Sequence, residues 1–349
     1  MDCFEMIKEL TGSVGASGHE EHLASKLKDK FFDCGLDVSI DKFYNVIAKK
    51  KGNGKLGKSI MITAHYDEIA LMVKSIDDKG FISFTNIGGI DSKILISKEV
   101  IVHGKKELYG IIGQKPPHLM TKEEYSKVQT INELSIDVGY SKEQLKELVS
   151  IGDIITFKSE PVILNKDLIS NKTMDNRSSV VAMLMVAKQL SKIDTDVDVY
   201  FVATTQEEFN LAGSVVASNK LNPDFSIVVD ACHGTMSEVP KDETFELNNG
   251  VVIAVGPNLH RNFTEKIMEV AKNKKMLCQI DVEPGNTGTE CWAIQVARYG
   301  IPTALISIPV KYMHTMIETV HIEDLKNVAK LIEGVLTLPE EELEACLCY

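Results

Sequence analysis

From Asn171 onward the chain alternates short apolar runs with segments of helical period, a pattern that few architectures accept. "SVVAMLMVAKQLSK", "TEKIMEVAKNKK" and "IEDLKNVAKLIEGVL" repeat their apolar residues at helical intervals, whereas "DVDVYFVATTQEE", "FSIVVDACHG" and "IPTALISIPV" are continuous enough to be strands buried on both faces. Such alternation predicts an α/β fold, a mostly parallel central sheet covered by helices. Earlier in the chain, "EHLASKLKDKFFDCG" reads as a helix preceded by a capping-box spacing, Ser17 to Glu20, and "KSIMITAHYDEIALMVKSI" as one deep strand. Between them lies the strand-like "DVSIDKFYNVIAKKKG". Residues 71–159 break the pattern with short strand-like pieces separated by turns, and polar helical material from Lys122 to Leu148. They read as a small β-rich domain inserted between 1–70 and 160–349.

Composition narrows the partners. A net charge of -12 argues against nucleic acid or an anionic membrane, because both demand a basic face. No apolar run reaches bilayer length and the N-terminus lacks a signal-peptide core, so a cytoplasmic location is expected. Seven cysteines without CxxC spacing read as free thiols, the "ACLCY" pair with Cys348 included.

The chemistry should gather where the strands end. "MITAHYDE" closes a strand with His65 and Asp67, "VATTQEE" with Glu207 and Glu208, and "IVVDACH" with Asp230, while "SIPVKYMH" leads to His314. Asp175 stands in "NKTMDNRSS" just before a helix. Two imidazoles and several carboxylates suit two divalent ions sharing one bridging carboxylate, zinc or cobalt fitting best. Asp67, two residues after His65 on an extended chain, faces the same side and can fix the imidazole tautomer. Of the adjacent glutamates, one can ligate while the other takes a proton from water. Each position also has a plainer explanation: a helix N-terminus for the glutamates, an N-cap for Asp175, a loop cap for His314.

"AHYDEIA", "MDNR", "TQEEFNLAGS", "VVDACH", "PGNTGTE" and "SIPVKYMHTMIETVH", in this order, resemble the landmarks of the M42 metallo-aminopeptidases, the group of glutamyl aminopeptidases and TET peptidases. The resemblance runs from "GASGHEEHL" to the last helix. It implies a zinc-peptidase type of fold and two divalent ions, His65 and Asp230 on one, Glu208 and His314 on the other, Asp175 bridging. It further implies Glu207 as general base, Asp67 as orienting carboxylate, peptides as substrates, and an insert used to build a homo-oligomer, dimers assembling into a dodecamer. Ala70, Asn210 and Glu290 depart from the family pattern, at positions that leave the ligand set intact. His233 and the His260–Arg261 pair are further candidates for substrate or subunit contact. Alternatives with other substrates are a metal-dependent deacylase or amidase, a glycoside hydrolase of the endoglucanase kind, and a non-catalytic metal-binding member.

Overall fold

The computed structural model describes residues 2–347. Three strands come first: β1 (Asp37–Ile40), β2 (Val46–Lys50) and β3 (Ser59–His65). Six more follow: β4 (Ala70–Ile76), β5 (Ile82–Ile87), β6 (Glu99–His103), β7 (Glu107–Gly113), β8 (Ser135–Asp137) and β9 (Ile154–Phe157). The chain continues through β10 (Val162–Leu164), β11 (Leu168–Asn171), β12 (Asp198–Thr204) and β13 (Phe225–His233). The last strands are β14 (Val251–Val255), β15 (Cys278–Val282), β16 (Thr303–Val310) and β17 (Glu318–His321).

An eight-stranded mixed sheet, in the order β1-β2-β12-β3-β13-β16-β14-β15, forms the spine. Its middle four strands, β12, β3, β13 and β16, run parallel, so their C-terminal ends share one edge. Register makes this concrete: Thr204 lies opposite His65, and Asp230 opposite Ser307. Helix Met174–Leu190 packs on this sheet beneath helix Ile322–Leu336 and helix Cys3–Thr11. Being covered on both sides, it is apolar almost all round, and its sequence carries no clear amphipathic stripe.

The run expected as one strand from Lys58 to Ile76 is two strands in two different sheets. β3 ends at His65, and after residues 66–69 the chain enters β4 of a closed antiparallel barrel, β4-β5-β8-β7-β6-β9. No glycine or proline marks the break, and both halves are buried, so pattern alone merges them. The barrel has its own core, with Phe84, Val100, Ile112 and Ile155. Alternation along β7 turns Tyr109 and Ile111 outward. A small antiparallel sheet, β10-β11-β17, is the third.

The expected capping box is absent. Helix Glu21–Phe32 has Glu20 at its N-cap with no side-chain cap bond. The Ser17 hydroxyl donates instead to Asp67, and Glu20 accepts from the backbone N–H groups of Gly18 and Gln206. A helix at Cys3–Thr11, capped by Asp2, precedes it and was not expected. The described cysteines form no disulfide, and Cys348 lies outside the described residues. No described helix is long and apolar enough to cross a membrane.

Candidate metal centre

At the shared edge, side chains from five separate segments converge. His65, the last residue of β3, turns Nε2 toward Asp175 Oδ1 at 3.3 Å, Glu207 Oε2 at 3.7 Å and Asp230 Oδ1 at 3.8 Å. Its other nitrogen, Nδ1, lies 3.4 Å from Asp67 Oδ1. A proton held on Nδ1 toward Asp67 leaves the Nε2 lone pair for a cation. His314, on the loop between β16 and β17, places Nε2 3.5 Å from both Asp175 Oδ2 and Glu208 Oε1. Its Nδ1 lies 2.8 Å from the carbonyl oxygen of Gly89.

Donor atoms therefore fall into two compact groups, His65–Asp175–Asp230 and Asp175–Glu208–His314, each within 4.8 Å. Asp175 gives one oxygen to each. It precedes the regular part of helix Met174–Leu190, where Asp175 and Asn176 have non-helical dihedrals and the peptide between them is cis. The structure thus brings together all seven residues singled out in the sequence: His65, Asp67, Asp175, Glu207, Glu208, Asp230 and His314.

Asp67 does more than face the imidazole. It is fully buried and accepts from the Ser17 hydroxyl and from the backbone N–H groups of Glu207 (3.0 Å) and Glu208 (3.2 Å). Those amides open the one-turn helix Glu207–Asn210, so the helix-terminus explanation of the glutamate doublet is also true. Asp67 ties both glutamates to the position of His65.

Electrostatics shows how closely negative charge is crowded here. Burial pushes Glu207 up to about 10, with Asp230 and Glu208 adding to the effect against His65, and lifts Glu208 to about 7 beside Asp175. Asp230 is raised well above the usual carboxylate range, again by burial first. His314 rises to about 10 through its contact with Asp175. His65 is raised despite burial, because Glu207, Asp175 and Asp67 surround it. Asp175 goes the other way, burial being outweighed by the two imidazoles. Left to itself, the centre would take up protons to offset crowded negative charge. Either donor group could hold a cation that would meet that demand, and the mixed N/O set would suit zinc or a neighbouring transition ion.

Four further acidic or basic groups support the centre. Glu318, buried, accepts from the backbone N–H of His314 (2.7 Å) and of Asp175 (3.0 Å). Arg177, also buried, donates to the carbonyls of Tyr66, Leu10 and Ser13 and to Glu68, which Lys172 also contacts. This network clamps the Asp67 and Asp175 loops to the first helix. Sequence reasoning gave Glu318 and Arg177 no role, because their main partners are backbone groups from distant segments. Glu290 is fully buried, raised to about 7 chiefly by burial, and belongs to neither donor group. Ala70 begins β4, and Asn210 caps the Ala212 N–H. His233 is exposed on the cavity wall, outside the donor groups. His260 caps helix Arg261–Asn273, and Arg261 pairs with Glu265 on the surface.

Comparison with known proteins bears on the family and the fold. Residues 44–331 match the family model described as M42 glutamyl aminopeptidase. Lysyl aminopeptidase of Pyrococcus furiosus is 34% identical over 343 residues, covering 95% of this chain and 96% of that one. Among solved structures, a TET aminopeptidase from the marine sediment archaeon Thaumarchaeota archaeon SCGC AB-539-E09 superposes with a TM-score of 0.93 at 27% identity, over 99% of this chain and 98% of that one. The TET1 peptidase of Pyrococcus horikoshii, described as able to assemble into a tetrahedron or a large octahedral shell, gives 0.84 at 31% identity, over 96% and 99%.

Proposed function

The chain belongs to the M42 peptidase family and is a hydrolase of peptide bonds, and from that premise we propose that it releases N-terminal residues from peptides at a centre of two divalent ions. The observation that carries the two-ion assignment is the division of Asp175, one oxygen toward His65 and the other toward His314. In this reading His65 and Asp230 hold one ion, Glu208 and His314 the second, and Asp175 bridges. Bound there, the ions would supply Lewis acidity and lower the pKa of water.

The protein's own groups do the rest. Glu207 is half-buried on the cavity wall, and of the two acids that lie against His65 outside both donor groups it is the one on the Nε2 side, Asp67 being on the Nδ1 side. It is placed to take a proton from water and return it to the leaving amine. Asp67 keeps His65 in one tautomer and holds the amide of Glu207, so base and ligand keep a fixed relation. The test is hydrolysis of aminoacyl p-nitroanilides, abolished by chelation and restored by zinc or cobalt. Glu207→Gln should keep its metal and lose about 10²–10⁴-fold in kcat; undiminished turnover with metal bound removes Glu207 from this role.

The cavity in front of the centre, about 790 Å³, adds Asp242, Glu243, Asp281 and Glu283 to its wall and contains no lysine or arginine. That balance supports a preference for basic or neutral N-terminal residues over acidic ones. Lysine and glutamate p-nitroanilides compared under one condition test it, and faster cleavage of the glutamate substrate refutes it. Outward apolar residues on the barrel, Tyr109 and Ile111, and on the main body, Trp292, Val296 and Tyr299, support assembly with further copies of the chain, the barrel serving as one contact. Light scattering showing a monomer at micromolar concentration would rule that out.

A further inference from the structure

We propose that Glu318 is a positioning residue that sets the outer half of the metal centre by holding the backbone of Asp175 and of His314 at the same time; the proposal rests on the two-ion reading. Its two oxygens divide the work. Oε1 accepts from His314 N at 2.7 Å, and Oε2 from Asp175 N at 3.0 Å. The second contact spans 143 residues of sequence. A carboxylate that only closed the loop 314–318 would need the first contact alone.

Strand pairing explains how one side chain reaches both. β17 lies antiparallel to β11 with Glu318 opposite Asn171, and the chain leaving β11 runs straight into Asp175. In the other direction, His314 sits four residues before Glu318. Both ligand-bearing segments also contain a non-glycine residue in the left-handed region, His314 itself at φ 58° and Thr173 at φ 60°. Such conformations persist where the surroundings hold them. Glu318, only 2% exposed, is the shared hold. The inner group depends on Glu318 only through the shared Asp175, since its other two members, His65 and Asp230, stand on strands of the sheet.

Glu318→Gln tests this with nearly unchanged volume. An amide can accept from one N–H but presents its NH₂ to the other, donor against donor, so one ligand segment is released. Zinc affinity is measured in two steps, by competition with a chromophoric chelator, alongside zinc content per chain. The parent should bind two ions. In Glu318→Gln the outer step should weaken by about 10–100-fold while the inner step stays within threefold, the size expected for a group behind a metal ligand. Equal weakening of both steps, or none, overturns the positioning role and leaves the peptidase reading standing. A parent that binds fewer than two ions overturns both. Melting of the metal-free proteins checks folding. If Glu318→Gln does not melt cooperatively, Glu318→Asp is measured instead: it keeps the charge but is one methylene short of spanning both amides, and the same selective loss is expected. Failure of both variants to fold assigns Glu318 to the fold at large and overturns the proposal.

Discussion

The inner and outer halves of the centre differ in what holds them. His65 and Asp230 are side chains of β3 and β13, neighbours in the parallel core of the sheet, and both are almost fully buried. His314 and Glu208 stand on a loop and a one-turn helix, and the His314 side chain is 38% exposed. Apart from the shared Asp175, the inner half inherits its geometry from strand register, which the whole core enforces. The outer half has to be assembled from single contacts: Gly89 on the His314 ring, Glu318 on its backbone, Asp67 on the amide of Glu208. On the two-ion reading proposed above, the inner position should bind first and more firmly, and the outer should depend on its neighbours.

The sharpest break of that comparison is ligand removal. His65→Ala takes away the imidazole that faces three of the carboxylates, and should lower kcat/KM by about a thousandfold or more, with both ions weakened. His314→Ala should lose the outer ion and retain the inner one, so zinc content falls from two to one. Zinc measured per chain in the two variants decides the matter. Retention of one tightly bound ion in His65→Ala, with none in His314→Ala, would invert the assignment.

How much of this was visible beforehand follows the same division. The inner residues were legible because they interrupt continuous apolar runs at strand ends, where a polar side chain has few structural uses. The outer residues needed the ordered motifs, since a His in a loop and a pair of glutamates have ordinary explanations. Ser17 was misread because the local rule, serine followed by glutamate three residues on, is blind to a carboxylate 50 residues away that competes for the hydroxyl. Residues 58–76 were merged because the break falls in a buried connection with no turn residue, and only its polar content, Asp67 and Glu68, hinted at it. Glu318 lies inside the last of those ordered motifs, but the residue pattern gives it no role of its own. A lone glutamate in a strand looks like a solvent-facing residue, and its partners are main-chain amides that every residue has.

A smaller, global effect comes from protons. In the metal-free protein Glu207 and Glu208 sit at about 10 and about 7, and His314 at about 10, so the folded chain holds protons that the unfolded chain has already released. Stability therefore falls as pH rises from about 5 to about 10, the carboxyls and the imidazoles acting with the same sign. For His65 and His314 the stabilisation is complete below about 6.5 and fades as pH climbs through their raised values. Asp67 and Asp175 are lowered, so their contribution is lost only in acid, outside this window. With a chelator present, Tm should drop steadily between about pH 6 and about pH 9. Added zinc should flatten the profile, and a Tm that rises with pH in the chelated protein would contradict the charge balance drawn here.

The finest test of the difference between the halves lies where the barrel touches the centre. Gly89, just after β5, gives its carbonyl to the His314 ring, and a Cβ at that position would come within 3.1 Å of Nδ1 and 3.3 Å of Cε1. Those contacts are close but not prohibitive, and the exposed ring has room to give by a few tenths of an ångström. Gly89→Ala should therefore tilt His314 without removing it, weakening the outer ion by at most about tenfold. His65 is anchored through Asp67 on the opposite side, so the inner ion should be unaffected, and Tm of the metal-free protein should stay within about 2 °C of the parent. Two-step zinc titration reads the outcome directly. Equal weakening of both ions would mean that the bridging Asp175 transmits the tilt, and the two halves would then have to be treated as one mechanical unit.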